Sequence, residues 1–360
     1  MAKGRWAGKQ IHATPVRVDR VTPESRKNLP KRQHYVPQCL LRRFAIQGVS
    51  GEPRVHFYDK MLDQGGVSTI HGVASENGFY NFKEQGEIFT LEFGFSEIEQ
   101  AADTVVESIV SARSVGNLAQ DDRVILADYL IKQLIRTRRS REDSKAMLLT
   151  LEKALEGRGF PLREAFPDYE PLTEERVNQL SIDQLRDGSI SPELLLDKGW
   201  MLMETTADYP FLTSDNPVGR SNCRAETEKW PRGSRGLRSP YVEIYFPLSP
   251  TLCLSLVSKE HMQEIWQGYQ RLLAIERMRP EHAFELWETK ATCEYMLDGL
   301  KSGEAHQVTP DMVVNINSVQ CNDCMRQVYS AFPDFSLAKE MKKDGCFDDE
   351  MGGTWVTSGK

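Results

Sequence analysis

The run from Arg123 to about Arg141 limits the possible folds more than any other part of the chain. At about 100° per residue, Leu126, Leu130, Leu134, Ala127, Ile131 and Ile135 cover most of the circumference of a helix, leaving Asp128 and Lys132 as a narrow polar strip. A helix that is apolar on nearly every side must be wrapped by other elements. Asp121 or Asp122 caps its start. Gln133 falls between Tyr129 and Leu126, and Arg136 near Tyr129 and Ile125, away from the polar strip. An unpaired buried amide costs about 1–3 kcal/mol and a charge more, so these two either tie the core together or face a site.

A second helix is predicted from Ser96-Glu97-Ile98-Glu99, which fits a capping box, to about Arg113, with Glu97 and Glu99 as capping charges. Another covers Lys145 to Leu155, and two short ones start at Ser181 and at Ser191-Pro192. Arg54 to Tyr58 and Val67 to Ile70 read as a hairpin around Gly65-Gly66. From Gly199 the pattern turns to strands: Trp200 to Thr206, Pro210 to Thr213, Glu243 to Ser249 and Leu252 to Leu256, with Gly219 to Ser239 as a long loop. Helices are predicted again at His261 to Ile275, at Pro280 to Gly299, and from Pro310 through Tyr329. The expected fold class is α+β: a predominantly helical first half, then an antiparallel sheet of about four or five strands plus helices.

The expected organisation is a flexible basic arm over 1–32, a mainly helical region over 33–180, a sheet-bearing region packed on it over 181–333, and a flexible tail over 334–360. The arm carries Lys3, Arg5, Lys9, Arg17, Arg20, Arg26, Lys27, Lys31 and Arg32 against Asp19 and Glu24, so it either holds phosphates or is a solvated tail. The whole chain has a net charge of −7, which does not by itself advertise nucleic acid. No apolar run reaches the roughly 18 residues of a membrane span, and cytoplasmic location is the default expectation. Seven cysteines, an odd number, argue against a fully paired disulfide framework. Cys321 and Cys324 form a single Cys-x-x-Cys with no second pair, which reads as buried helix cysteines before it reads as zinc.

Candidate site residues cluster at three places. In Gln33 to Phe44, Pro37 is the expected first helical residue and Gly48 a stop, which puts His34 and Tyr35 just upstream of a helix and Arg42 within it. A helix N-terminus disfavours the imidazolium, so His34 is expected to lean neutral and able to act as a base. Gln133 and Arg136 form the second place. The third is Ser214-Asp215-Asn216-Pro217, a turn whose Asp215 is either an Asx-turn anchor or a carboxylate at a strand end.

These landmarks occur in order: His34-Tyr35-Val36-Pro37 with Leu41-Arg42-Arg43-Phe44, Phe79-Tyr80-Asn81, Gln133 with Arg136, Thr213-Ser214-Asp215-Asn216-Pro217, Phe246-Pro247-Leu248-Ser249-Pro250, and Asn317 with Arg326 and Tyr329-Ser330. The chain thereby resembles a bacterial and phage-associated family of domain-of-unknown-function proteins over about residues 33 to 330. One departure stands out: Arg136-Thr137-Arg138 occupies the place of an Arg-Thr-Pro, so the helix is expected to run on past it. The resemblance implies no settled reaction.

The leading expectation is a nuclease-like, phosphate-processing protein with His34 and Asp215 as catalytic acid–base groups and Tyr35, Arg42, Gln133, Arg136, Ser214 and Asn216 as substrate-binding residues. The alternatives are a non-catalytic module for nucleic acid, nucleotide or phage protein, and a buried hydrogen-bond network that only fixes the fold. No close-spaced ligand motif calls for a metal, although a divalent ion on Asp215 and a histidine stays open. Walker, GxGxxG, GxSxG and HExxH sequences do not occur.

Overall fold

The computed structural model describes residues 13–48, 51–160, 173–188, 190–224 and 235–347. The chain opens with β1 (Asp19–Arg20), β2 (Arg32–His34), α1 (Gln38–Arg43), β3 (Ile46–Gln47), β4 (Pro53–Asp59), β5 (Gln64–Thr69), β6 (Ser75–Asn77), β7 (Asn81–Glu84) and β8 (Glu87–Thr90). Next come α2 (Glu92–Ala112), α3 (Gln120–Ile135), α4 (Arg138–Gly157), α5 (Glu174–Asp187) and the one-turn α6 (Glu193–Leu196). The last part holds β9 (Gly199–Glu204), β10 (Thr213–Ser214), β11 (Gly219–Asn222), β12 (Val242–Ser249), β13 (Leu252–Val257), α7 (Lys259–Met278), α8 (Ala283–Ser302), β14 (Ala305–Gln307), α9 (Pro310–Asp323), β15 (Gln327–Ser330) and α10 (Ser336–Lys343). The fold class is α+β, and no helix among the described residues is long and apolar enough to cross a membrane.

One five-stranded sheet runs β11-β12-β13-β9-β14, antiparallel except for β14 on β9. Its strands are apolar on both faces because both are covered. Ile244, Phe246, Leu254, Leu256, Trp200 and Leu202 share a core with α2 and α3, while the alternate residues Tyr245, Cys253, Met201 and Met203 pack with Val313, Ile316 and Val319 of α9. The second five-stranded sheet, β10-β15-β4-β3 with β5 on β4, joins strands from opposite ends of the sequence: Tyr329 of β15 pairs with both Thr213 and Phe57. Arg123 to Ile135 is the wrapped helix that its composition requires, and its expected polar strip is buried too, with Lys132 and Asp128 paired at 2.5 Å.

Several boundaries differ from expectation for local reasons. Helix α2 begins a turn early, because Thr90 Oγ1 accepts the Glu92 N–H, while Ser96 only bonds back to the Glu92 carbonyl. Helix α3 does not run on: Arg136 closes it, and extended Thr137 caps α4 by accepting from Ser140 N. Residue 138 is thus the first position of a new helix, a place that takes arginine as well as proline. Helix α5 starts at the Thr173 cap and passes through Ser181. Gly65 and Gly66 lie inside β5, and the hairpin turns at Lys60 to Asp63. Part of the expected 219–239 loop is strand β11 paired with β12; residues 225–234 lie outside the described residues.

The helix expected through Tyr329 ends at Asp323 and gives way to β15. Of the basic arm, residues 1–12 lie outside the described part, whereas Ala13 and Val16 are buried and β1 pairs with β8. The tail likewise holds α10, where Phe335 and Ala338 pack with Tyr58; residues 348–360 lie outside the described part.

Candidate functional site

Strands β2 and β6 pair with Gln33 opposite Glu76 and His34 opposite Ser75. Alternation along β2 sends Gln33 inward, where its amide accepts from Tyr80 N at 2.7 Å and donates to Asn81 Oδ1 at 3.0 Å. The next two residues leave the strand. Tyr35 is fixed through its backbone at both ends, its N–H donating to the Ala74 carbonyl and its carbonyl accepting from Gln133 Nε2 at 2.8 Å. Its ring packs on Phe79, centroids 5.2 Å apart.

Behind Tyr35 lies a closed polar cluster. Gln133 Oε1 accepts from Arg136 Nε at 2.8 Å and Nη2 at 2.5 Å, and Arg136 Nη1 donates to Glu99 at 2.7 Å. The guanidinium also lies over the rings of Phe95 and Tyr129. Gln133 is fully buried and Arg136 is 1% exposed, and each donor nitrogen of the cluster has a partner inside the chain. Glu99, expected only as a capping charge, is the counterion.

His34 has both ring nitrogens engaged: Nε2 lies 3.2 Å from the Ile70 carbonyl and Nδ1 3.4 Å from Gln38 Nε2. A ring that donates from Nε2 and accepts at Nδ1 is neutral. Burial, with help from His71, Arg32 and Arg136, lowers its pKa to about 4, against the backbone bond that raises it.

Asp215 follows β10, and its carboxylate faces the turn that leads into β15. Its Oδ1 accepts from Met325 N at 2.7 Å, and its Oδ2 from Arg326 N and Gln327 N, both at 2.8 Å. Burial pushes its pKa up, and the three N–H groups pull the other way. These bonds draw residues 325–327 out of a helical path and aim them into the sheet, which is why α9 stops where it does. Ser214 donates to Gln320 Oε1, and Asn216 accepts from the Thr137 hydroxyl and donates to the Asp323 carbonyl. Both side chains are buried braces between the β10 turn, α9 and the start of α4.

Tyr35 and Asp215 reach a common cleft of about 950 Å³. Its other side-chain lining includes Lys31 and Arg32 before and in β2, Glu76 of β6, Arg138 at the first position of α4, and Met325, Arg326 and Gln327. The four cations are exposed. Arg138 meets Glu76 at 2.7 Å, Arg326 uses Nε on Asp59, and Arg32 makes only long contacts, 3.3 and 3.4 Å, to the Gly72 and Ser75 carbonyls. Burial and the Asp215 and Glu76 charges push the Tyr35 phenol pKa up, so it stays protonated and able to donate to an anion.

Of the eight residues singled out in the sequence, the structure brings Tyr35 and Asp215 to this cleft. His34, Gln133, Arg136, Ser214 and Asn216 do not line it, and neither does Arg42, which is exposed on α1. His34 and Asp215 have different partners and share no hydrogen bond among the described residues. Lys31, Arg32, Arg138 and Arg326 are not among those eight, although the sequence offers the basic arm with Lys31 and Arg32 as one possible phosphate holder. Metal-ligating side chains do not gather here either: among the described residues the one such group is Cys223, Glu243 and His261, and Asp215 is not part of it.

The family profile described as protein of unknown function, DUF4238, matches residues 32–333. The chain belongs to the DUF4238 family. That span runs from the first residue of β2 to just past β15, so the DUF4238 region contains every cleft-lining residue except Lys31. No curated protein and no solved structure matches the chain.

Proposed function

We propose that the protein is a binding module for a phosphate-bearing ligand, nucleic acid or nucleotide, seated in the cleft between β2, β6, the start of α4 and the turn into β15. The observation that carries this reading is the lining: four exposed cations and a phenol donor face one cavity that holds two carboxylates, one of them committed to backbone N–H groups. Cationic side chains around a concave surface attract phosphate, and guanidinium groups can grip it through two nitrogens at once. A hydrolytic version of the same reading needs His34 to act as base, and that ring already uses both nitrogens within the protein.

The test is fluorescence anisotropy of the full chain with labelled single-stranded RNA, single-stranded DNA and a labelled nucleoside triphosphate across a salt series. Binding should weaken with salt, and Arg32→Ala and Arg138→Ala should each reduce the logarithmic slope by roughly 0.7–0.9 for a strand ligand. Recovered ligand should be intact with and without Mg²⁺. Cleavage abolished by His34→Ala would restore the nuclease reading, and the absence of salt-dependent binding to all three ligands would end both.

A further inference from the structure

A second group of chemistry-bearing side chains lies away from the cleft, where β11 ends, β12 begins and α7 makes its first turn. Cys223 follows β11, Glu243 is in β12, and His261 is the third residue of α7. One hydroxyl sets this meeting: Ser258, the buried cap of α7, accepts both the His261 N–H at 3.3 Å and the Tyr241 N–H at 3.1 Å. Cys223 N donates to the Tyr241 carbonyl, which places the thiol beside the same turn. The Sγ of Cys223, a carboxylate oxygen of Glu243 and a ring nitrogen of His261 all lie within 4.8 Å of one another.

The arrangement separates two chemistries. A cysteine nucleophile with a histidine base and an orienting acid uses two different ring nitrogens, one for the thiol and one for the acid. Here both neighbours address the same atom, His261 Nδ1, with Glu243 Oε1 at 2.9 Å and Cys223 Sγ at 3.6 Å. Three donors converging on one point is the geometry of a chelate.

The distances suit a tetrahedral ion. Zinc bonds of about 2.0–2.1 Å to nitrogen, 2.0–2.2 Å to oxygen and 2.3 Å to sulfur imply ligand separations of about 3.5 Å for N···S and 3.4 Å for N···O. The thiol is already at that spacing, and the Glu243 carboxylate needs to withdraw by about half an ångström. That carboxylate is oriented from its other side by the Tyr245 hydroxyl, which donates to Oε2 at 2.5 Å, in the way outer hydroxyls and carboxylates orient ligands. Cys223 is exposed, which leaves the fourth position open to water.

We propose that Cys223, Glu243 and His261 bind one divalent ion of the zinc class. Binding releases the thiol proton of Cys223 to solvent and uses the Nδ1 lone pair of the neutral imidazole, whose single ring proton then sits on Nε2, with no change of oxidation state. The ion then ties the end of β11 and the start of β12 to the first turn of α7. This site is independent of the proposed role of the cleft.

The experiment uses the full chain, treated with chelator and reductant, desalted, and titrated with Co²⁺. Wild type should bind one equivalent and show thiolate-to-cobalt charge-transfer absorption together with the visible bands of a tetrahedral ion. Zn²⁺ should abolish both and raise the melting temperature by roughly 5 °C at about a hundredfold excess over its Kd. Cys223→Ser, at an exposed position, should fold as wild type, lose the charge-transfer band and bind more than about tenfold more weakly. His261→Gln should weaken binding similarly, and circular dichroism checks its fold. No thiolate–cobalt absorption, or a band unchanged in Cys223→Ser and therefore arising from another cysteine, overturns the site.

Discussion

Arginine stands in two settings around Tyr35, and the contrast between them separates architecture from ligand recognition. On the backbone side, Arg136 is buried, its nitrogens bonded to Gln133 and Glu99 and its face covered by Phe95 and Tyr129. On the ring side, Arg32, Arg138 and Arg326 are exposed: Arg138 pairs with Glu76 and, more distantly, Glu142, Arg326 uses Nε on Asp59, and Arg32 makes long bonds to carbonyls. A guanidinium whose three nitrogens are all bonded in a buried frame offers little to a ligand. One that is half-engaged at the mouth of a cavity can exchange its present partner for a phosphate at small cost.

The hardest blow to that contrast would fall on Arg136. Arg136→Met leaves Gln133 Oε1 without its donors and Glu99 without its counterion, so folding stability should drop by about 3–5 kcal/mol in urea denaturation. Ligand affinity of the fraction that remains folded should stay close to wild type. Unchanged stability with lost binding would move Arg136 from the frame to the site.

Asp215 comes next because it touches both sides. Asp215→Asn replaces an acceptor with an amide that faces backbone donors, which should cost about 2–3 kcal/mol and raise amide hydrogen exchange at residues 325–327. A neutral effect on stability and exchange would mean that the carboxylate is held for a ligand and not for the turn.

Much of this frame is legible in the sequence. The apolar circumference of Leu126, Ile131 and Leu134 requires a wrapped helix, and the paired apolar runs at 243–249 and 252–256 announce central strands. Gln133 and Arg136 also stand out as polar residues in an apolar setting, where a buried network is one of the expectations. What the sequence hides is long-range partnership. Nothing local to Met325 to Gln327 says that a carboxylate 110 residues upstream takes the Met325 N–H and the next two, so the segment reads as more helix. Pairing of β15 with both β4 and β10 is hidden for the same reason. The cleft cations are not placed by the sequence, because an exposed Lys or Arg reads equally as a solvated face until the fold curves it inward.

His34 sharpens the comparison through pH. Its pKa is about 4 in the folded protein against 6.5 in the unfolded chain. Between those values the unfolded chain binds a proton that the folded ring refuses, so stability present above pH 6.5 is lost as pH falls towards 4. The expected contribution is about 2 kcal/mol after allowance for partial exposure. Melting curves of wild type and His34→Gln should differ in slope across that window and run parallel above it. Parallel curves throughout would show that the ring is free to take up a proton, as a general base must be.

The smallest effect on stability belongs to the residues expected to matter most for binding. Arg32→Ala removes two long bonds to carbonyls, and Arg138→Ala breaks exposed pairs with Glu76 and Glu142, so each should change folding free energy by no more than about 0.5 kcal/mol. Each should nonetheless weaken the salt-dependent binding that Arg136→Met leaves intact. The two sets of variants thus form a crossed design: interior changes move the denaturation midpoint, rim changes move affinity. A rim variant that destabilises the fold by several kcal/mol without altering affinity would erase the distinction, because Arg32 and Arg138 would then be framework residues that happen to face water.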